Sequence, residues 1–546
     1  LLNLGATSWS SGDLAAARSA LEEAEVRCRQ AGDEVMLASV LGNRAMVERD
    51  LGEFDDADVR FAEEAAICRR LDDRFGLQAS LGNRAQLRLM TNRYDEALEL
   101  LREQESCCRD LADTAGVARA RAGQATALSA RGDVRTAIEL TEEFAESCRA
   151  EGDRRGLVEA QLNLASMHNQ LGEADIGVAL IADAELGARQ FGQPELLARV
   201  LVTQAATAGQ LGDWSRAERI ATEAELTARS AQLPAQVALA LNVVGTARRE
   251  LGDLDGARTA HLAERVAAEA AGDRQALAIA ETNLGNVAIA AQRFDEMYER
   301  FAAAEEILRD LDIAALLLPL LANRGQVDQA TGRIAEALAD LAGAAEMAAR
   351  IGNHGQVVQW GNAAVALAYQ AGDVVRAEAL WNQIVPASRA LGDDASLQRA
   401  LGEQALLLIN RSQPVGAAGD ATNVDHRLLD EAMALLDEQA VVCRRSVDDV
   451  GLGACLGNRA IVLRYRDDLD GSLACIDEQL AIATRIGDAQ GALFATANRG
   501  EVLGLLGRVS EGRAALEAAR ATAASYGLVP MVQQLDTMIA ALDADN

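Results

Sequence analysis

The fold is decided by residues 73–109, which read DRFGLQASLGNRAQLRLMTNRYDEALELLREQESCCR. Two runs in this stretch have the apolar spacing of amphipathic helices, and Thr91, Asn92 and Arg93 separate them. The same pattern returns when the frame is moved by about 40 residues in either direction. Self-similarity at a fixed period of this size is the signature of a solenoid, in which each repeat packs on its neighbours. The sequence therefore predicts an all-α solenoid of helix–turn–helix repeats.

The turn inside each repeat marks the period. Glycine fills this turn in most repeats because a positive φ costs it little. The turn glycines are Gly12, Gly52, Gly132, Gly172, Gly212, Gly252, Gly332, Gly372 and Gly507. Their separations are whole multiples of the period, as from Gly12 to Gly52, except that the last glycine is displaced by an insertion. We count about thirteen repeats of this length.

The links between repeats are patterned as well. A Gly-Asp pair follows several second helices, where glycine is suited to end one helix and aspartate to cap the next. The pairs are Gly32-Asp33, Gly152-Asp153, Gly272-Asp273, Gly392-Asp393 and Gly487-Asp488. These signals predict one solenoid over residues 1–527, with a loop inserted at 411–425, and a C-terminal capping helix and tail over 528–546. Because Leu1 already lies within the repeat pattern, we expect the sequence to be part of a longer protein.

Composition excludes several classes of function. The net charge of −31 makes nucleic acid an unsuitable partner. All 52 basic residues are arginine, so the chain has no lysine for a phosphate-binding P-loop. The eight cysteines form no CxxC pair, and Cys28, Cys68, Cys108 and Cys148 recur on an apolar helix face, as buried core residues would. We expect no metal site and no cofactor.

Catalytic and membrane signals are equally sparse. Four histidines are scattered over different repeats, and neither HExxH nor GxSxG occurs. The longest apolar run, residues 313–322, is too short to cross a membrane, and no stretch resembles a secretory signal. We therefore expect a cytoplasmic chain that is not an enzyme and has no membrane partner.

The turn glycine, the apolar anchor after it and the small residue that follows resemble the tetratricopeptide repeat (TPR). Examples are Gly212-Asp213-Trp214 with Ala217, and Arg93-Tyr94 with Ala97. The 40-residue spacing is similar to the TPR arrays of the LGN/Pins adaptors and of kinesin light chain. The LGNRA motif resembles sequences in the sensor arms of bacterial STAND-type signalling ATPases. The resemblance implies a right-handed superhelix that binds a protein or peptide in a concave groove lined by the first helices.

In TPR proteins an asparagine on the first helix often contacts the backbone of a bound peptide, and the resemblance implies this role for eight positions. They are Asn3, Asn43, Asn83, Asn163, Asn283, Asn323, Asn458 and Asn498. An amide offers a donor and an acceptor to an extended peptide. The alternative is that these asparagines tie neighbouring helices together.

Arginine follows five of these asparagines, where the TPR pattern has an apolar residue. The five are Arg44, Arg84, Arg324, Arg459 and Arg499. A guanidinium in the groove would hold a carboxylate of the ligand. One between repeats would pair with a neighbouring Asp or Glu, and the acidic surplus of the chain favours this second interpretation.

Two functional hypotheses follow. The first is a scaffold that binds a protein or peptide and serves as the ligand-sensing C-terminal arm of a larger bacterial signalling or defence protein, with homo-oligomers formed through the full-length protein. The alternative is a stand-alone adaptor or self-assembly scaffold without an upstream effector domain.

Overall fold

A computed structural model describes residues 1–10, 13–91, 93–412 and 424–544. Within these ranges the chain forms 27 α-helices and no strand, as the sequence predicts. Helices α1 to α26 pair into thirteen hairpins, and α27 follows the last of them. Gly12 and most of the inserted loop, residues 413–423, lie outside the described residues.

The odd-numbered helices are the first helices of the repeats. They are α1 (Leu2–Ser10), α3 (Glu34–Asp50), α5 (Arg74–Met90), α7 (Thr114–Ala130), α9 (Arg154–Gln170), α11 (Pro194–Gln210), α13 (Pro234–Glu250), α15 (Arg274–Ala290), α17 (Ala314–Ala330), α19 (His354–Ala371), α21 (Asp394–Arg411), α23 (Asp449–Tyr465) and α25 (Ala489–Leu505), with α27 (Val529–Ala544) in the same place after the last hairpin.

The even-numbered helices are the second helices. They are α2 (Leu14–Ala31), α4 (Phe54–Leu71), α6 (Tyr94–Asp110), α8 (Val134–Glu151), α10 (Ala174–Phe191), α12 (Trp214–Ser230), α14 (Leu254–Ala271), α16 (Phe294–Asp310), α18 (Ile334–Arg350), α20 (Val374–Leu391), α22 (His426–Ser446), α24 (Leu469–Ile486) and α26 (Val509–Ser525).

The chain divides into two compact units, Leu1–Ile307 (unit 1) and Leu308–Asn546 (unit 2). Within each unit, helices adjacent in sequence pack side by side. First helices of neighbouring repeats also approach each other, for example α11 and α13 in unit 1 and α21 and α23 in unit 2. These contacts recur between first helices more often than between second helices. The first helices therefore lie on the more tightly curved side of each unit.

Small residues on the first helices let the two helices of a hairpin meet closely. Ala45 lies in the core beside the fully buried ring of Phe61. Gly285 on α15 lies so close to the ring of Phe301 on α16 that an added Cβ atom would overlap it. In these hairpins a small residue on the first helix therefore makes room for a large side chain on the second helix.

The predicted helix ends are confirmed. Gly32, Gly152, Gly272, Gly392 and Gly487 all have left-handed backbones, with φ between 65° and 74°. The aspartate after each of them accepts a hydrogen bond from a backbone N–H in the first turn of the next helix. These caps satisfy donors that the helix itself leaves free.

Ion pairs at a constant sequence offset link second helices of neighbouring repeats. An arginine near the end of one second helix reaches a glutamate of the next, 34 residues later. The pairs are Arg29–Glu63 (2.8 Å), Arg69–Glu103 (2.6 Å) and Arg189–Glu223 (2.7 Å) in unit 1, and Arg444–Glu478 (3.0 Å) in unit 2. Arg389–Glu438 (2.8 Å) spans the insertion at an offset of 49 residues. We name these five pairs the ion-pair ladder.

Two helical glycines should respond in opposite ways to alanine. A Cβ atom at Gly512 would lie 2.9 Å from the backbone oxygen of Gly500, whereas one at Gly453 meets nothing within 4 Å. Gly512→Ala should lower the free energy of unfolding by about 1–3 kcal/mol. Gly453→Ala should raise it by about 0.5–1 kcal/mol, because alanine loses less backbone entropy. Urea denaturation of both variants measures this, and similar effects for the two would contradict the close approach of α25 and α26.

Candidate functional site

A cavity of 490 Å³ opens among the first helices of unit 2. Residues of α21, α23 and α25 line it, together with residues of the second helices α22 and α24. Its polar lining consists of Gln398, Arg399, Glu403, Gln439, Asn458, Gln479 and Asn498. Leu406, Ala454 and Ile461 add apolar surface. The cavity is therefore rich in carboxamides and contains one side chain of each charge.

Two glycines make room for two of these carboxamides. A Cβ atom at Gly402 would lie 2.6 Å from Nε2 of Gln439, and one at Gly457 would lie 2.9 Å from Nε2 of Gln479. The Oε1 atoms of Gln439 and Gln479 are buried and have no hydrogen-bond partner in the described part of the chain. Only 4% of Gln439 is exposed. A buried acceptor without a partner costs about 1–3 kcal/mol, so a donor supplied by a bound molecule would be favourable here.

The eight predicted asparagines lie on first helices, and the structure brings two of them, Asn458 and Asn498, to this cavity. Asn43 instead donates a hydrogen bond to the backbone oxygen of Ser39, 2.9 Å away on its own helix. Asn3 and Asn163 are exposed, and the remaining ones, Asn83, Asn283 and Asn323, are partly buried. Peptide contact by the asparagines remains a prediction, and the geometry favours it most at the cavity.

The five predicted arginines all form ion pairs with carboxylates of second helices. Four pair with the second helix of the preceding repeat, and Arg324 pairs with that of its own. The pairs are Arg44–Glu25 (2.7 Å), Arg84–Asp58 (2.8 Å), Arg324–Asp340 (2.6 Å), Arg459–Asp437 (2.7 Å) and Arg499–Asp477 (2.7 Å). This geometry agrees with the interpretation that each arginine pairs with an Asp or Glu of a neighbouring helix. A contact with a partner would compete with these ion pairs, and it remains a prediction.

Comparison with known proteins identifies the repeat. Residues 36–103 match the family model described as tetratricopeptide repeat. This part of the chain carries tetratricopeptide repeats. No curated protein matches it.

Several solved structures are similar to the TPR chain. BtubC (BKLC) from P. vanneervenii is 22% identical, covers 41% of this chain and 92% of its own, and has a TM-score of 0.34. A Rap protein complexed with competence and sporulation factor is 13% identical to this chain, with a TM-score of 0.42. The match covers 65% of this chain and 98% of the Rap chain. A putative kinesin light chain from Podosopora anserina with TPR-like repeats is 16% identical to this chain, with a TM-score of 0.30. The match covers 35% of this chain and 95% of the kinesin light chain structure.

The residues that sequence reasoning missed come from second helices of the TPR hairpins. Gln439 and Gln479 belong to a column that also contains Gln104 and Glu64. In each case the side chain lies against a glycine of the preceding first helix, namely Gly402, Gly457, Gly82 and Gly42. The signal was available, because the glycine and its amide or acid keep one sequence offset in the three uninterrupted repeats that contain both, as in Gly457 and Gln479.

Glu64 is the acidic member of this column. Its Oε2 atom is buried without a hydrogen-bond partner in the described residues. The pKa of Glu64 is raised to about 7, mainly by burial; the hydroxyl of Ser80 lowers it, and the nearby charge of Asp73 contributes to the rise. A protonated Glu64 has nearly the shape of the glutamine found elsewhere in the column.

Several other reactive groups in the hairpins are enclosed. Burial raises the pKa of the Cys68 and Cys148 thiols to about 11, in keeping with the predicted core role. His261 is buried, and its Nδ1 lies 2.6 Å from Glu264. Among the described residues, no group of three or more His, Cys, Asp or Glu side chains could hold a metal ion. A search of the same residues finds no helix with the length and apolar character needed to span a bilayer.

Proposed function

We propose that the chain is a non-catalytic protein-interaction scaffold and that the unit 2 cavity binds a peptide segment of a partner. The observation that carries this proposal is the pair of buried carboxamide oxygens without hydrogen-bond partners in the described residues, Oε1 of Gln439 and Oε1 of Gln479, in the cavity that also receives Asn458 and Asn498. Repeats of this type are protein-binding scaffolds, which supports a protein partner.

The cavity chemistry suits an extended peptide. Each carboxamide offers a donor and an acceptor, as each peptide group of an extended segment does. Gln439 and Gln479 supply acceptors at the helix interface, and Asn458 and Asn498 supply further amides on the first helices. Leu406 and Ile461 can pack against an apolar side chain of the bound segment.

We place this activity in the ligand-sensing C-terminal arm of a larger cytoplasmic signalling or defence protein of bacterial origin. The resemblance of the LGNRA motif to the sensor arms of STAND proteins supports this assignment to a signalling protein. The alternative is a stand-alone adaptor or self-assembly scaffold. The full-length gene decides between them, because a nucleotide-binding or effector domain upstream of Leu1 is expected only in the first case.

Binding should depend on the cavity amides. We would pan phage-displayed random peptides against the full chain and synthesise the enriched sequences. Because each amide hydrogen bond contributes about 0.5–1.5 kcal/mol, the variant Asn458→Ala/Asn498→Ala should bind these peptides about tenfold more weakly. The change is measured by fluorescence anisotropy, with circular dichroism to check that helix content is retained.

The matched control is Asn43→Ala/Asn163→Ala, which removes two first-helix amides from unit 1. It should leave the affinity for the same peptides unchanged. Equal affinity of the wild type and the Asn458/Asn498 variant would contradict binding in the unit 2 cavity.

A further inference from the structure

Arg399 is a cation in the unit 2 cavity that has neither an ion pair nor a hydrogen-bond partner for its guanidinium within the described ranges. The arginines of two other cavities are neutralised. In one, of 360 Å³, Arg121 lies 2.8 Å from Glu105 and 2.6 Å from Glu143. In the other, of 280 Å³, Arg69 lies 2.6 Å from Glu103. Arg399 therefore differs from arginines that the fold itself satisfies.

The repeat pattern explains why Arg399 lacks a partner. Arg199 occupies the equivalent position on α11, and its guanidinium lies 3.2 Å from Glu159, which is 40 residues earlier on α9. The residue one period before Arg399 is Gln359, which carries no charge. The carboxylate that neutralises Arg199 is thus replaced by an amide at the corresponding place in unit 2.

Three carboxylates on the chain lie close to Arg399 in sequence, and none of them forms an ion pair with it. Asp394 is paired with Arg445, whose Nε donates to its Oδ2 at 2.9 Å. Asp393 is the N-cap of α21, and it accepts hydrogen bonds from the Ala395 N–H (3.1 Å) and the Ser396 hydroxyl (2.5 Å). These bonds, helped by the charge of Arg399, lower the pKa of Asp393. Glu403 lies one turn further along the same helix and is exposed. The guanidinium remains open to a carboxylate from outside the chain.

We propose that Arg399 binds a carboxylate of the partner segment that lies in the unit 2 cavity. The inference rests on the proposed function and adds the chemical class of the partner, an acidic peptide. A guanidinium holds a carboxylate through two parallel N–H···O bonds, so it fixes position as well as charge. The carboxylate belongs to an Asp or Glu side chain or to the C-terminus of the peptide.

The overall negative charge of the chain does not oppose this assignment. At physiological ionic strength, exposed charges more than about 8 Å apart are largely screened from one another. The charged side chains that line the cavity are Arg399 and Glu403, so its lining is neutral overall. A peptide carboxylate next to Arg399 therefore meets a local cation.

The test uses the full chain and phage-displayed random peptides with free C-termini. Peptides that lose affinity with Asn458→Ala/Asn498→Ala are the ones that occupy the cavity. Arg399→Gln should lower the affinity for these peptides by about tenfold or more, because a charge-assisted hydrogen bond is roughly twice as strong as a neutral one. Arg376→Gln is the matched control: Arg376 is an exposed arginine of unit 2 that lies outside the cavity lining and has no side-chain partner among the described residues. It should leave the affinity unchanged.

Peptide variants identify the source of the carboxylate. Amidation of the C-terminus and replacement of each Asp by Asn or Glu by Gln are made separately. The change that abolishes the difference between wild type and Arg399→Gln marks the carboxylate that Arg399 holds, and either source supports the proposal.

Two other results have separate meanings. Peptides that need Asn458 and Asn498 but bind equally well to wild type and Arg399→Gln would overturn the carboxylate assignment and leave the scaffold function standing. If no selected peptide is weakened by the asparagine variant, the proposed binding cavity fails, and the inference fails with it.

Discussion

Glu64→Gln should stabilise the chain at pH 8 by on the order of 2–3 kcal/mol and leave its stability almost unchanged at pH 4. Glu64 has a pKa of about 7 in the folded chain, and its usual value is 4.5. Hydrogen exchange of peptides from α4 and α5, followed by mass spectrometry, measures the stability of this part of the solenoid.

The direction follows from proton linkage. Between pH 4.5 and about 7 the folded chain holds a proton on Glu64 that the unfolded chain has released, so wild-type stability falls as the pH rises through this window. Above it, the folded chain carries a buried carboxylate whose Oε2 has no partner in the described residues. Glutamine removes that charge and keeps the shape of the protonated acid.

Two variants act as controls. Gln104→Glu places an acid at the equivalent buried position of the next repeat and should introduce the same loss of stability above neutral pH. Glu63→Gln removes an adjacent carboxylate that is paired with Arg29 at 2.8 Å, and it should leave the pH profile unchanged. A Glu64→Gln variant with the wild-type pH profile would show that Glu64 is charged throughout.

Phe301→Ala should lower the free energy of unfolding by about 3–5 kcal/mol. The ring is 0% exposed and lies against Gly285, so its removal leaves a cavity between α15 and α16. Local hydrogen exchange of these two helices reports the change.

A double-mutant cycle tests the contact between the ring and the glycine. Gly285→Ala alone should cost about 1–3 kcal/mol because its Cβ atom overlaps the ring. In the Phe301→Ala background the same substitution should be favourable by about 0.5–1 kcal/mol, since alanine is the better helix former. Additive effects would mean that the ring and the glycine do not constrain each other.

Much of the fold can be read from the sequence because its signals are local and repeated. Turn glycines, Gly-Asp links and the 40-residue period specify helix ends to within a few residues; the helix that follows the predicted inserted loop, residues 411–425, begins at His426. The period does not predict which carboxylate each arginine pairs with. Arg324 pairs with Asp340 of its own hairpin, whereas Arg84 pairs with Asp58 of the preceding one.

The site was predicted only in part for a related reason. Asparagines on first helices stand out as a column, and Asn458 and Asn498 do line the cavity. The glutamines belong to second helices, and their importance depends on a glycine of the preceding first helix, as with Gly457 and Gln479. The sequence contains this pairing as a constant offset, but the packing of the two helices is needed to show that the glycine makes room for the glutamine.

The ion-pair ladder carries a consequence for how such a chain changes in length. Every uninterrupted pair of the ladder joins residues 34 positions apart, so tandem duplication of the whole period that contains the glutamate leaves the arginine before it facing a glutamate at the same separation. A change in length that is not a whole period is tolerated where it leaves both ends of a rung in place, as between Arg389 and Glu438. Unequal recombination that duplicates such a period therefore lengthens this protein without new electrostatic partners having to evolve.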